Sequence, residues 1–256
     1  MLPKYKRLMR DFLFLLLIFL FVTSCNSSKK ETLTTGSNSF SFPKNKMWAH
    51  RVNTFEEVEK KHSLFEGLEV DLIYSKYRND FYVAHDEKDT LEQIMFEDWL
   101  RHIPNPQKNW YWLDMKNLHR KNAKEVAHLL VDLLSKYGIL DKVFCENRDV
   151  KSLSVLKKNG IAVSYWVKSD EFLRKVVGNA IWRKKVTNNI AFLKPDALST
   201  FSWMHPLLDS SFPDQNILYW HIPENYTRED DEFIKKLCNL PNVKVVLVDY
   251  DEPISY

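Results

Sequence analysis

Four short stretches of this 256-residue chain gather residue types that do chemistry, and each lies at or near the end of an apolar or β-rich run. The first is Trp48-Ala49-His50-Arg51, a histidine beside a cation. The second is Glu69-Val70-Asp71. Side chains alternate along a strand, so residues i and i+2 share a face, and Glu69 and Asp71 point the same way. Two carboxylates facing an interior repel unless positive charge lies between them. A divalent cation answers that requirement, and hard oxygen ligands favour Mg²⁺ or Ca²⁺. Arg51 or Lys116 neutralising both would answer it too, as would one carboxylate turned to solvent. The third stretch is Val83-Ala84-His85-Asp86, where an apolar strand stops at a His-Asp pair. A surface turn reads the same way, because Asp starts turns readily. The fourth is Leu113-Asp114-Met115-Lys116, in which Asp114 and Lys116 share a face. They offer a third carboxylate ligand and an ammonium for an anionic substrate, or an internal salt bridge.

Positioning these residues requires strands. The expected strands are 47–51, 68–74, 111–116, 142–147, 162–167, 196–201, 217–222 and 243–250, with a further extended piece at 81–86 as a hairpin arm. Amphipathic helical stretches lie between them at 122–138, 149–159, 170–186 and 227–239. In the first, Val126, Leu129, Leu130, Leu133 and Leu134 recur at helical spacing, and Gly138 stands at the C-terminal cap. Strand–helix alternation implies parallel strands with helices outside. Eight strands suggest an α/β fold of the closed (β/α)8 TIM type. Roughly 210 residues is small for that barrel, so some helices must be short or missing. An open doubly wound sheet is the alternative, but the five glycines form no phosphate-binding loop of the GxGxxG or GxxxxGK kind.

The formal charge of +3 overstates the basic character of the body. Residues 1–24 hold four of the 37 basic residues and one of the 34 acidic ones, so the remainder is neutral. That excludes nucleic acid as an expected partner, because phosphate-backbone binding needs a basic excess. Basic residues Lys4 to Arg10 precede an apolar run from Phe12 to Val22, which ends in Thr23-Ser24-Cys25. The run has the length of a signal-peptide core rather than a membrane span. Residues 1–24 therefore read as an export signal. The segment around Cys25 resembles the lipobox of bacterial lipoproteins, which implies lipidation of Cys25 and attachment to a membrane of the cell envelope. Residues 25–45, rich in Ser, Thr, Asn and Lys, read as a flexible tether. Residues 46–256 read as one domain, expected to act as a monomer. Cys145 and Cys238 read as buried free thiols, with no CxxC or His/Cys metal spacing near them.

In order, the chain reads HR, ExD, HD and a carboxylate-x-Lys strand. This resembles the glycerophosphodiester phosphodiesterase family, within the wider group of phosphatidylinositol-phospholipase-C-like barrels. The specific motifs cover residues 47–116, and the rest of the match is strand order. The opening WAHRVN and the LDMK strand also look like the menorin family, which has the same barrel. The resemblance implies Glu69, Asp71 and Asp114 as ligands of a divalent metal. It implies His50 and His85 as acid and base, and Arg51 and Lys116 as contacts to the phosphate. The expected substrate is a small-molecule or lipid-headgroup phosphodiester. Two departures stand out. Val52 replaces the glycine that follows HR in the family and is expected to narrow the approach to the phosphate. Asp114 replaces a glutamate and is one methylene shorter. A phospholipase-D-like lyase giving a cyclic phosphate and a non-catalytic lipid- or sugar-binding barrel are the rival readings.

Later strands add candidates for the barrel mouth. Glu146, Trp166, Trp220 and His221 stand at or near strand ends, where barrel loops build sites. Asp249 and Asp251 follow the last strand and are candidates for supporting roles.

Overall fold

The computed structural model describes residues 40–255 apart from 87, 89–93 and 169–170, with 171–178 described by backbone only. The expected signal peptide, Cys25 and the tether as far as residue 39 lie outside the described residues. Residues 39–256 form one compact unit. No helix among the described residues is long and apolar enough to cross a membrane.

Among the described residues, nine strands form one sheet: β1 (Met47–Ala49), β2 (Gly67–Ser75), β3 (Asp80–Val83), β4 (Trp110–Met115), β5 (Val143–Asn147), β6 (Ala162–Trp166), β7 (Ala197–Phe201), β8 (Ile217–Trp220) and β9 (Val243–Val248). The order is β1-β9-β8-β7-β6-β5-β4-β2-β3, and β1 also pairs with β2 at Ala49↔Leu68. That bridge closes eight parallel strands into the expected barrel. β3 runs antiparallel on β2 outside the ring, as the expected hairpin arm.

Helices α1 (Phe55–Lys61), α2 (Phe96–Arg101), α3 (Ala123–Lys136), α4 (Val150–Lys158), α5 (Glu171–Leu193), α6 (His205–Ser211) and α7 (Arg228–Cys238) connect the strands. Several have only two turns, as the short chain demands. α3 buries Val126, Leu130 and Leu134 against the barrel wall. It stops as expected: Gly138 takes a positive φ of 65°, Gly138 N–H donates to Ser135 O and Ile139 N–H to Leu134 O. These bonds satisfy carbonyls that the helix end leaves open.

Strand alternation divides the core in two. Residues such as Leu68, Val70, Tyr111, Leu113, Cys145 and Val163 face the helices. Trp48, Trp112, Phe144, Leu218, Trp220, Val245 and Leu247 fill the barrel interior. Trp112 packs on Phe144 at 5.2 Å between ring centroids and on Trp220 at 5.7 Å. Gly67 makes room for this floor: a Cβ there would lie 1.9 Å from the Trp48 ring. Phe40 stacks edge-on to Phe144 at 5.6 Å, and Phe42 packs beside it. The folded unit therefore includes residues that composition places in the tether. Two phenylalanines in a polar stretch find an aromatic floor to cover. Cys145 and Cys238 are buried free thiols.

Candidate active site

The site is built at the C-terminal ends of the strands, directly above the aromatic floor. β1 delivers His50, whose N–H continues the ladder to Val248 O at 3.0 Å. The chain then turns sharply at Arg51, with φ of 48°, a costly conformation for a residue with a side chain. The turn aims the Arg51 N–H at Glu69 Oε2, 2.6 Å away. Two residues on, Asn53 grips Asp71 twice. Its Nδ2 donates to Asp71 Oδ2 at 2.7 Å, and its Oδ1 accepts from Asp71 N–H at 3.0 Å. Thr54 then starts α1 with a reciprocal cap to Glu57. Each residue of the HRVNT segment thus has a structural task.

Val52 is a correction to the expected narrowing. It is fully buried in the outer core, its N–H bonds Glu69 O at 2.9 Å, and its carbonyl accepts from Trp99 Nε1 at 2.7 Å. Its side chain does not line the pocket.

β2 and β4 pair in register, with Asp71 opposite Asp114. Glu69, Asp71 and Asp114 each present an oxygen, and these oxygens lie within 4.8 Å of one another. The Lys116 ammonium bridges two of them, 2.7 Å from Asp71 Oδ1 and 2.5 Å from Asp114 Oδ2. The half-exposed Arg51 guanidinium lies 3.9 Å from Asp71 Oδ2. Both neutralising cations foreseen from the sequence therefore reach Asp71. They are too few for the charge present. One strand further round, Asp114 pairs in register with Glu146, which is fully buried. Neither carboxylate oxygen of Glu146 has a hydrogen-bond partner among the described residues.

The electrostatics reflect this excess. Burial, then Asp71 and Asp114, push Glu69 well above its ordinary range, against the Arg51 amide and Lys116. Burial, then Asp114, push Glu146 well up, with Ser199 and Lys116 opposing. Burial also raises Asp114, although Lys116 opposes it. Burial alone would lower Lys116, but Asp114 and Asp71 outweigh it and hold the ammonium charged. An all-oxygen donor set with too little positive charge fits a hard divalent cation, held by Glu69, Asp71 and Asp114.

Both histidines open onto the same pocket, of about 420 Å³. His50 is nearly buried, and its Nδ1 lies 2.7 Å from Asp249 Oδ1. Its Nε2 faces Glu69 Oε2 at 3.9 Å. His85 is more open, and its Nδ1 lies 2.9 Å from Asp86 Oδ2. Each imidazole thus sets Nδ1 against a carboxylate. With Nδ1 as the donor, Nε2 is left for chemistry. Desolvation alone would raise Asp249, but the His50 hydrogen bond and charge hold its carboxyl below the usual range.

The opposite wall is apolar. Trp166, Trp220, Phe201 and Ile222 line it. Trp166 meets Trp220 edge-on at 5.4 Å, and the Arg148 guanidinium lies 4.4 Å above the Trp166 ring.

Of the mouth candidates, Trp166 and Trp220 line the pocket, and Glu146 does not. His221 is a correction: it points away from the pocket, to Ser202 Oγ at 2.8 Å and Asp230 Oδ1 at 2.9 Å. Trp220 faces inward, so the next residue must face outward, and Ile222 takes the place at the mouth. Sequence reasoning missed the Asn53 clamp and Arg148. Asn53 ends the WAHRVN motif, whereas nothing marks Arg148 until Trp166 comes beneath it.

No family model matches the sequence, and no curated protein matches it. Solved structures do match the fold. A glycerophosphodiester phosphodiesterase from Parabacteroides distasonis superposes with a TM-score of 0.56 at 12% identity, over 82% of this chain and 94% of that one. A phosphodiesterase from Oleispira antarctica, in complex with the product sn-glycerol-3-phosphate, gives 0.56 at 15% identity, over 82% and 94%. A glycerophosphodiester phosphodiesterase from Agrobacterium tumefaciens gives 0.53 at 12% identity, over 81% and 97%. The chain has the barrel fold of these enzymes.

Proposed function

We propose that this protein is a metal-dependent phosphodiesterase acting on glycerophosphodiesters or phospholipid headgroups. One observation carries the reading: three carboxylates within reach of a single cation share one pocket with His50, His85, Arg51 and Lys116. The fold shared with phosphodiesterases supports it, as does the glycerol phosphate held by the Oleispira antarctica enzyme.

A bound divalent cation would offset phosphate charge and polarise a phosphoryl oxygen. The protein's own residues do the rest. Arg51 and Lys116 hold the non-bridging oxygens and stabilise the charge that grows on them. One histidine takes the proton from the attacking oxygen as its bond to phosphorus forms. The other gives a proton to the leaving alkoxide as the opposite P–O bond breaks. Asp249 and Asp86 orient the two rings. The Trp166–Trp220–Phe201 wall excludes water and packs on the carbon skeleton of the alcohol. Attack by water gives a phosphomonoester directly, whereas attack by a substrate hydroxyl gives a cyclic phosphate first.

We further propose that Cys25 carries lipid and holds a monomeric barrel at a membrane of the bacterial cell envelope, where it scavenges headgroups. The charged start, apolar core and Cys25 of the leader support this. Mass spectrometry of the membrane fraction tests it, and an unmodified, soluble chain would contradict it.

Turnover of glycerophosphocholine by His50→Ala and His85→Ala tests the chemistry. Each should lose activity by about 10²-fold or more while melting as the wild type does. Full activity in either variant would remove that histidine from the mechanism.

A further inference from the structure

Glu146 is the group in this molecule that its surroundings explain least. It lies on β5 inside the barrel, fully buried, with both carboxylate oxygens lacking a hydrogen-bond partner among the described residues. Buried carboxylates in folded proteins are paired, hydrogen-bonded or bound to a metal. The nearest ammonium, on Lys116, is already shared by Asp71 and Asp114. On the other side, β6 places Ser164 opposite Glu146, but the Ser164 hydroxyl donates to Ser199 Oγ at 2.9 Å, and the Ser199 hydroxyl favours the Glu146 charge by less than burial and Asp114 oppose it. An apolar residue of similar size would cost the fold less in that place. What Glu146 does have is a neighbour in the cation site: Asp114 is its register partner across β4 and β5.

Resting on the metal-dependent reading above, we propose that Glu146, which stands outside the three carboxylates whose oxygens lie within 4.8 Å of one another, is a fourth carboxylate of the cation site, engaged from the Asp114 side through one water, and that it selects Ca²⁺ over Mg²⁺. The selection follows from ligand chemistry. Mg²⁺ demands near-octahedral geometry, keeps several waters and is usually held by one or two carboxylates. Ca²⁺ takes six to eight oxygens at variable angles and gains from each added carboxylate. Three carboxylates with Lys116 among them leave a site that either ion can use. A fourth, set one strand further out, suits the larger and more adaptable ion.

Calorimetric titration of the metal-stripped protein with CaCl₂ and with MgCl₂ tests the proposal, with Glu146→Gln and Glu146→Met alongside wild type. In both variants Ca²⁺ affinity should fall at least ~10-fold and Mg²⁺ affinity by less, so that selectivity narrows. Glu146→Met should also melt above the metal-free wild type, because it removes an unpartnered buried carboxyl. That rise separates a ligand from a structural residue and guards against a variant that merely misfolds. Ca²⁺ affinity within twofold of wild type in both variants would overturn the role of Glu146 and leave the three-carboxylate site standing. If wild type binds neither ion, the metal-dependent reading falls together with this inference.

Discussion

Replacing Lys116 with Met tests how the site balances its charge. The ammonium touches Asp71 at 2.7 Å and Asp114 at 2.5 Å, and the Asp71 side chain is only 1% exposed. Methionine keeps most of the side-chain volume and removes the charge. Breaking a buried ion pair from one side costs about 3–5 kcal/mol. Lys116 is partly exposed and Arg51 still approaches Asp71, so the lower figure applies. At about 2–4 °C per kcal/mol for a domain of this size, ~3 kcal/mol lowers the melting temperature by about 6–12 °C in EDTA at pH 8. At pH 5 the loss should shrink, because Glu69, Asp114 and Glu146 take up protons above the ordinary carboxyl range. Added Ca²⁺ should stabilise the variant more than wild type, since it replaces the missing charge and no longer competes with the ammonium. Turnover should still fall, because the phosphate loses a cation. Differential scanning calorimetry in EDTA and in Ca²⁺ at both pH values reads all of this. An unchanged melting temperature at pH 8, or a variant that Ca²⁺ no longer stabilises, would refute the charge argument.

Three further outcomes follow from the same geometry. Asp249→Ala should lower kcat at least ~10-fold with KM and melting temperature nearly unchanged, because it removes only the partner that orients His50; a loss confined to KM would contradict that role. The folded protein keeps protons on Glu69, Asp114 and Glu146 that the unfolded chain releases, so their contribution to stability is full at low pH and falls as pH rises through their raised values. The melting increment from Ca²⁺ should therefore be larger at pH 8 than at pH 5, and the reverse order would show that these carboxyls are not the ones the metal relieves. Gly67→Ala should lower the urea midpoint by the equivalent of about 3 kcal/mol, because a new methyl meets the Trp48 ring, itself packed on Phe144; an unchanged midpoint would show that the barrel floor can yield.

Much of this site was legible because its motifs are local. Glu69 and Asp71, and Asp114 and Lys116, share a face by strand alternation alone, and parallel pairing of β2 with β4 brings the two pairs together. The same alternation applied to β8 would have set Trp220 and His221 on opposite faces, so that only one of them could line the mouth. What the sequence could not reveal depends on barrel closure. Asp249 reaches His50 across 199 residues, because β9 closes on β1. The isolation of Glu146 is a property of β4 and β6 on either side of it. Phe40 and Phe42 looked like tether because their polar neighbours outnumber them, and only the aromatic floor shows what they cover. Val52 looked like an obstacle because the turn at Arg51, which swings it into the outer core, carries no mark in the sequence.

Phosphorus NMR of the purified protein with glycerophosphocholine, in Ca²⁺ or Mg²⁺ and again with EDTA, tests the central claim most directly. The expected result is a diester signal replaced by a phosphomonoester, with or without a transient cyclic phosphate, and no change in EDTA. A cyclic phosphate that accumulates and persists would make the protein a lyase. An unchanged diester, with metal shown to be bound, would contradict the enzyme and leave a binding barrel.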